Sequence, residues 1–119
     1  MDKRKITNLD KLDFKPFDKY GELIKGWYWH KINFDEKTNF RTYISKLELG
    51  TKTIPHTHTG HEEFFFLYGE LVDSDGSIFK KGDFISYKPN SSHSSYTKKG
   101  CLILTFMRGH NNQIKKDKL

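Results

Sequence analysis

From Trp27 onward the apolar residues fall in short runs with a two-residue period. Clusters of Gly, Pro, Asn and Asp interrupt them about every 8–12 residues. Successive side chains of a strand point to opposite faces, so such runs suit a pleated sheet. No stretch sustains a helical period beyond a couple of turns. The predicted strands lie in "GWYWHKINF" (26–34), "FRTYISKLEL" (40–49), "EEFFFLYG" (62–69), "ELVDSDGSIF" (70–79), "GDFISYKP" (82–89) and "CLILTFMRG" (101–109), with Asp75-Gly76 as a hairpin turn. This pattern predicts an all-β sandwich or barrel. Residues 1–25 read instead as an N-terminal arm with scattered apolar anchors, Ile6, Leu9, Leu12, Phe14 and Phe17. The expected organisation is an arm (1–25), a β domain (26–108) and a basic, flexible C-terminal tail (109–119).

Composition narrows the class. At 119 residues the chain is one domain, and ten Phe, six Tyr and two Trp are enough for a core. A domain of this size leaves apolar surface uncovered, so a homodimer is expected. No apolar run approaches the roughly 20 residues that span a bilayer. The opening "MDKRKITNLDKL" has no apolar leader region. Cys101 is the single cysteine, which excludes an internal disulfide and fits a reducing compartment. The expectation is a cytoplasmic protein without a membrane partner.

The net charge of +6 raises the question of nucleic acid. Residues 1–25 hold seven basic and five acidic side chains, residues 108–119 four and one, and residues 26–107 ten and nine. The excess therefore sits at the ends, as solubilising tails. No basic stripe or nucleic-acid-reading motif marks the body, and no nucleic-acid partner is expected.

Candidate chemistry is concentrated in "GTKTIPHTHTGHEEFFFLYG" (50–69). His56 and His58 share a face of a strand. Thr59-Gly60 can turn the chain, and Glu62 then opens a strand whose same-face neighbours are Phe64 and Phe66. Parity selects His56, His58 and Glu62 as a convergent set and turns His61 and Glu63 away. Two imidazoles and a carboxylate suit a divalent first-row metal. A fourth candidate, His93, lies 35 residues beyond His58, after a Pro89-Asn90-Ser91-Ser92 turn. In a closed antiparallel sheet its strand can lie beside that of His56 and His58.

These residues resemble the first motif of the cupins: Gly, five residues, His-x-His, three or four residues, Glu, six residues, Gly. Gly50, His56, His58, Glu62 and Gly69 fit it without a gap, a match expected by chance on the order of once in ten thousand such sequences. The second motif is met by Gly82, Pro89 and His93 on a turn one residue short, with Thr97 where an Asn is usual and Asn90 in place of a glycine. That shorter turn is similar to the cupin domain of ChrR-type anti-sigma factors and their relatives, some of which are small dioxygenases. The resemblance implies a double-stranded β-helix, or jelly-roll barrel.

It also implies one divalent metal ion (Fe, Mn, Ni or Zn) on His56, His58, Glu62 and His93. Two functions follow: a metal-dependent small-molecule enzyme of the dioxygenase type, or a ChrR-like sensory module without catalysis. In the enzyme, Glu62 could also shuttle a proton, and the substrate pocket would draw on Tyr43, Phe64, Phe66, Tyr87, Tyr96 and Met107. His30 and His110 stand alone and read as surface or core residues. Cys101 reads as a buried small hydrophobe. Trp27, Tyr28 and Trp29 read as core or dimer interface.

Overall fold

The computed structural model describes residues 3–109 and 111–113. Its regular structure is β1 (Lys15–Pro16), β2 (Trp27–Asp35), β3 (Phe40–Leu47), β4 (His56–His58), β5 (His61–Asp73), β6 (Ile78–Lys80), β7 (Phe84–Tyr87), β8 (Ser92–His93), β9 (Ser95–Tyr96), β10 (Cys101–Arg108) and β11 (Asn111–Gln113), with a 3-10 turn at Leu9–Lys11. The all-β expectation holds. Among the described residues no helix is long and apolar enough to cross a membrane.

All pairings are antiparallel. The larger sheet runs β1-β2-β3-β10-β5-β6, and the smaller one β11-β4-β8. The spine is β5, whose first half pairs with β10 and β7 and whose second half pairs with β6 and β9. Alternation places Cys101, Ile103, Thr105 and Met107 of β10 inside, beside Tyr43, Ser45 and Leu47 of β3 and Glu62, Phe64 and Phe66 of β5.

The sequence splits residues 62–79 into two strands at Gly69, but β5 runs through it unbroken to Asp73. Continuity is bought with a bulge. Leu102 of β10 faces Tyr68 whereas Ile103 faces Phe66, so Leu67 is the extra residue. Gly69 follows at φ +84, and a Cβ there would lie 2.2 Å from the Gly100 carbonyl oxygen. Only glycine fits such a backbone and such an approach. The bulge also shifts the phase. Glu62, Phe64 and Phe66 are buried before it, Leu71 and Asp73 after it.

The ends depart from expectation. Of the five arm anchors Phe17 alone is fully buried, 1% exposed and stacked on Trp27 with ring centroids 3.8 Å apart. Ile6 and Leu9 are exposed because the segment ahead of β1 runs over the surface, held by polar contacts such as Lys5 Nζ to the Ile32 carbonyl (2.9 Å). Within the expected tail, residues 111–113 pair with β4 as strand β11 and continue its hydrogen-bond ladder. His110 and residues 114–119 lie outside the described residues.

Candidate metal centre

The centre is assembled by three short pieces of backbone. On β4, His56 and His58 are 4% and 1% exposed while Thr57 between them faces outward. The Thr59-Gly60 turn passes so close to β10 that a Cβ on Gly60 would sit 1.5 Å from the Arg108 carbonyl oxygen. That contact sends the chain directly into β5, where Glu62 is 2% exposed. The third piece is the Pro89–Ser92 turn, with Asn90 at φ 71. Asn90 N donates to the His58 carbonyl and His58 N donates to the Ser91 carbonyl, both at 2.8 Å. This clip brings β8 beside β4 and sets His93 opposite His56.

One atom from each of His56, His58, Glu62 and His93 lies within 4.8 Å of the other three. Glu62 Oε1 is 2.7 Å from His58 Nε2, 3.7 Å from His93 Nε2 and 3.8 Å from His56 Nε2. Bonds of about 2.0–2.2 Å to one central ion would hold ligand atoms at separations of this order.

The hydrogen bonds of the rings assign their tautomers. His56 Nδ1 meets the Ile54 carbonyl at 2.7 Å, an acceptor, so Nδ1 carries the proton. Ser91 Oγ donates to the Lys88 carbonyl (2.7 Å) and accepts from His58 Nδ1 (2.9 Å). His93 Nδ1 donates to Asp73 Oδ1 at 2.9 Å. In the neutral form of each ring, the one a metal would bind, Nε2 therefore turns its lone pair toward Glu62, and none of the three Nε2 atoms has a hydrogen-bond partner. Three buried imidazole acceptors aimed at a carboxylate oxygen would be costly without a shared cation. The donor set and its geometry fit a divalent metal ion.

Charge balance says the same. Burial would push the Glu62 carboxyl up, but contacts with His56, His58 and His93 outweigh it and hold the group well below the usual carboxylate range. Burial would pull His93 down. Its Nδ1 hydrogen bond to Asp73 and the Glu62 carboxylate facing its Nε2 at 3.7 Å overcome that and raise it to about 9. Without a metal the centre thus keeps a proton that a metal would displace.

Asp73 is the residue that the sequence reading passes over. Burial raises its carboxyl, but hydrogen bonds from His93, the Tyr87 hydroxyl and Ser95 Oγ (2.9 Å) prevail and bring it to about 2. Tyr87, expected in the pocket, instead braces the ligands. Its ring stacks on His93 at 4.3 Å and its hydroxyl donates to Asp73.

A cavity adjoins the centre, lined by His56, Glu62 and His93 together with Tyr43, Phe64, Trp27, Phe17 and Tyr20. About 40 Å³ of it is open to the centres of water molecules, one of which needs roughly 10–15 Å³ on that measure. The space is therefore small and mostly apolar. Tyr43 and Phe64, two of the pocket candidates from the sequence, line this cavity. Phe66 is fully buried in the core behind, and Met107 is buried beside Lys19. Tyr96 is 38% exposed and lines a separate surface groove, because β9 pairs with the outer end of β5. Phe17, Tyr20 and Trp27 were not expected in the wall. Their aromatic character was the one available signal.

His61 is exposed, and Glu63 accepts from Ser86 Oγ (3.1 Å) on the outer side of β5. His30 accepts from Asp13 N (3.0 Å) at the edge of the sheet. Cys101 is 1% exposed and burial pushes its thiol up to about 12, so it is a packed core residue.

No curated protein matches the chain in sequence. Solved structures match it in fold. A proposed acetylacetone dioxygenase from Methylibium petroleiphilum PM1 has a TM-score of 0.85 at 18% identity, with 98% of this chain and 85% of that one covered. An acetylacetone dioxygenase from Acinetobacter johnsonii gives 0.79 at 17% identity, covering 98% and 84%. The complex of Rhodobacter sphaeroides SigE with the anti-sigma ChrR gives 0.67 at 16% identity, covering 84% of this chain and 50% of that one. Identities this low establish a shared fold, the cupin double-stranded β-helix, and nothing finer. The family description of the ChrR cupin-like domain, however, matches residues 2–111, nearly the full sequence, and the chain belongs to that family.

Proposed function

We propose that the chain binds one divalent metal ion through His56, His58, Glu62 and His93 and catalyses a dioxygenase-type reaction on a small molecule held in the adjoining cavity. The observation that carries the reading is the convergence of three Nδ1-protonated imidazoles, each with a buried Nε2 lone pair, on Glu62. Iron, manganese, nickel and zinc all suit such a mixed set. An octahedral ion there would supply Lewis acidity and two further coordination positions, enough for a chelating diketone or hydroxyketone.

The remaining work falls to the chain. Phe17, Trp27 and Phe64 keep the cavity largely dry and fix the orientation of a small substrate. In this reading Glu62, buried among its partners, also shuttles a proton. Tyr43 is 3% exposed, and burial together with nearby Glu62 raises its phenol, which stays protonated as a donor toward the cavity. In this reading the chain works as a cytoplasmic homodimer on a small-molecule substrate.

The second reading is a ChrR-like sensory module without catalysis, supported by the family to which the chain belongs. Oxygen consumption separates the two. Iron-loaded protein given acetylacetone as the probe is expected to take up about one O₂ per diketone cleaved, with an oxygen atom entering each fragment. Full metal occupancy with no uptake above the Glu62→Gln control would favour the sensory reading.

A further inference from the structure

The wall of the cavity carries hydroxyls that the fold does not use. Three others in it are committed. Ser45 Oγ accepts from Trp27 Nε1 at 3.1 Å. Thr53 Oγ1 accepts from Ser95 N at 2.8 Å, and Ser95 Oγ donates to Asp73 Oδ1 at 2.9 Å. Tyr43 and Thr105 are as deeply buried, 3% and 2% exposed, yet no hydrogen bond joins either hydroxyl to another described residue. Packing does not shut them away either. Among the described residues, the fully enclosed side-chain polar atoms that lack a partner all belong to the metal centre. Both hydroxyls therefore open onto the cavity that the two residues line. A buried hydroxyl without a partner is costly, and Phe or Val would fill the same volume without that cost.

Strand pairing sets the two side by side. Thr105 of β10 faces Tyr43 of β3 on one side and Phe64 of β5 on the other. Glu62 precedes Phe64 by two residues on the same buried face of β5. The hydroxyl pair thus stands about 7 Å along the sheet from the level of Glu62, within the length of a small substrate. His56, Glu62 and His93 line the same cavity, and much of the remaining wall is aromatic. The Tyr43 phenol stays protonated and donates, while a threonine hydroxyl both donates and accepts. Together they match one hydroxyl or carbonyl oxygen.

We propose that Tyr43 and Thr105 are specificity-determining residues that bind a substrate oxygen remote from the metal, so that the site selects a small ketone carrying a further hydroxyl or carbonyl oxygen over its hydrocarbon isostere. The inference rests on the metal-centre reading and adds the part of the substrate that faces away from the ion. The chelating oxygens lie toward His56, Glu62 and His93, and the further oxygen lies between Tyr43 and Thr105.

The test uses zinc-loaded protein, so that no turnover intervenes. The probes are acetylacetone hydroxylated on a terminal methyl group and propionylacetone, in which a methyl group replaces that hydroxyl. Binding is measured by calorimetry for the native chain, Tyr43→Phe and Thr105→Val, after the zinc content of each has been determined. The native chain should favour the hydroxylated probe by about 10-fold or more. Each variant should cut that preference by about 5-fold or more and leave propionylacetone within about 2-fold of native. A preference that survives both substitutions would assign the hydroxyl to the metal and overturn the inference. Equal weakening of both probes in variants holding their zinc, or no preference in the zinc-loaded native chain, would overturn it as well and leave the metal centre standing. Zinc-loaded native protein that binds neither probe would do the same. Failure of the native chain to hold zinc at all would overturn the metal-centre reading and this inference with it.

Discussion

Each of the three site imidazoles gives its Nδ1 proton to a fixed acceptor, and that bond aims its Nε2 at Glu62. The acceptors differ: the Ile54 carbonyl for His56, the Ser91 hydroxyl for His58 and the Asp73 carboxylate for His93. Asp73 alone brings charge, so it should matter most. Asp73→Asn is predicted to lower metal affinity by about 10–100-fold, read by competition with a chelator; unchanged affinity would remove Asp73 from the account. The pH behaviour follows in sign. Asp73 falls to about 2 from the usual carboxylate value, so the stability it contributes is complete above about 4 and is lost as pH drops toward 2. His93 in metal-free protein rises to about 9, so its contribution is complete below about 6.5 and is lost as pH rises through 9. Metal and proton compete for that ring, and apparent metal affinity should climb with pH toward 9 with proton release. His56, His58 and Glu62 were legible in the sequence because no bulge comes between parity and placement. Asp73 was not, because its phase depends on a bulge six residues upstream.

That bulge is a property of β5 as an element. A strand of 13 residues kept in one phase would turn Asp73 outward and remove the partner of His93. Leu67 adds the residue that reverses the phase, and Gly69 tolerates the backbone that results. A glycine inside an apolar strand pattern is a readable sign of such a bulge, but the side of it that ends up buried is set by pairing with β10. Gly69→Ala is predicted to destabilise the protein by at least about 1 kcal/mol through its left-handed backbone, with the crowding of Gly100 and Cys101 adding to that. For a domain of this size Tm should fall by roughly 4–8 °C per kcal/mol in thermal unfolding. Metal affinity should fall with it. A Tm unchanged to within about 1 °C would show that the turn carries no strain. The Pro89–Ser92 clip was more legible, since an Asn after a Pro announces a left-handed position and the structure has Asn90 at φ 71.

Across the whole molecule, turn spacing and two-residue periodicity were enough for the β class, because every long strand has one buried face and one that is less covered. The cavity wall was less legible. Phe17 and Tyr20 reach it from an arm with no period of its own, Phe17 stacking on Trp27 and Tyr20 approaching His56, which is distant along the chain. Local sequence does not encode such closure. The arm thus joins the outside of the sheet to the cavity beside the candidate metal centre. All of this depends on one claim, that His56, His58, Glu62 and His93 hold a metal ion. Elemental analysis tests it most directly, on untagged protein expressed at low level beside His93→Ala. About one equivalent of a divalent first-row metal is expected in the native chain and almost none in the variant. No metal in either protein, or the same amount in both, would contradict it.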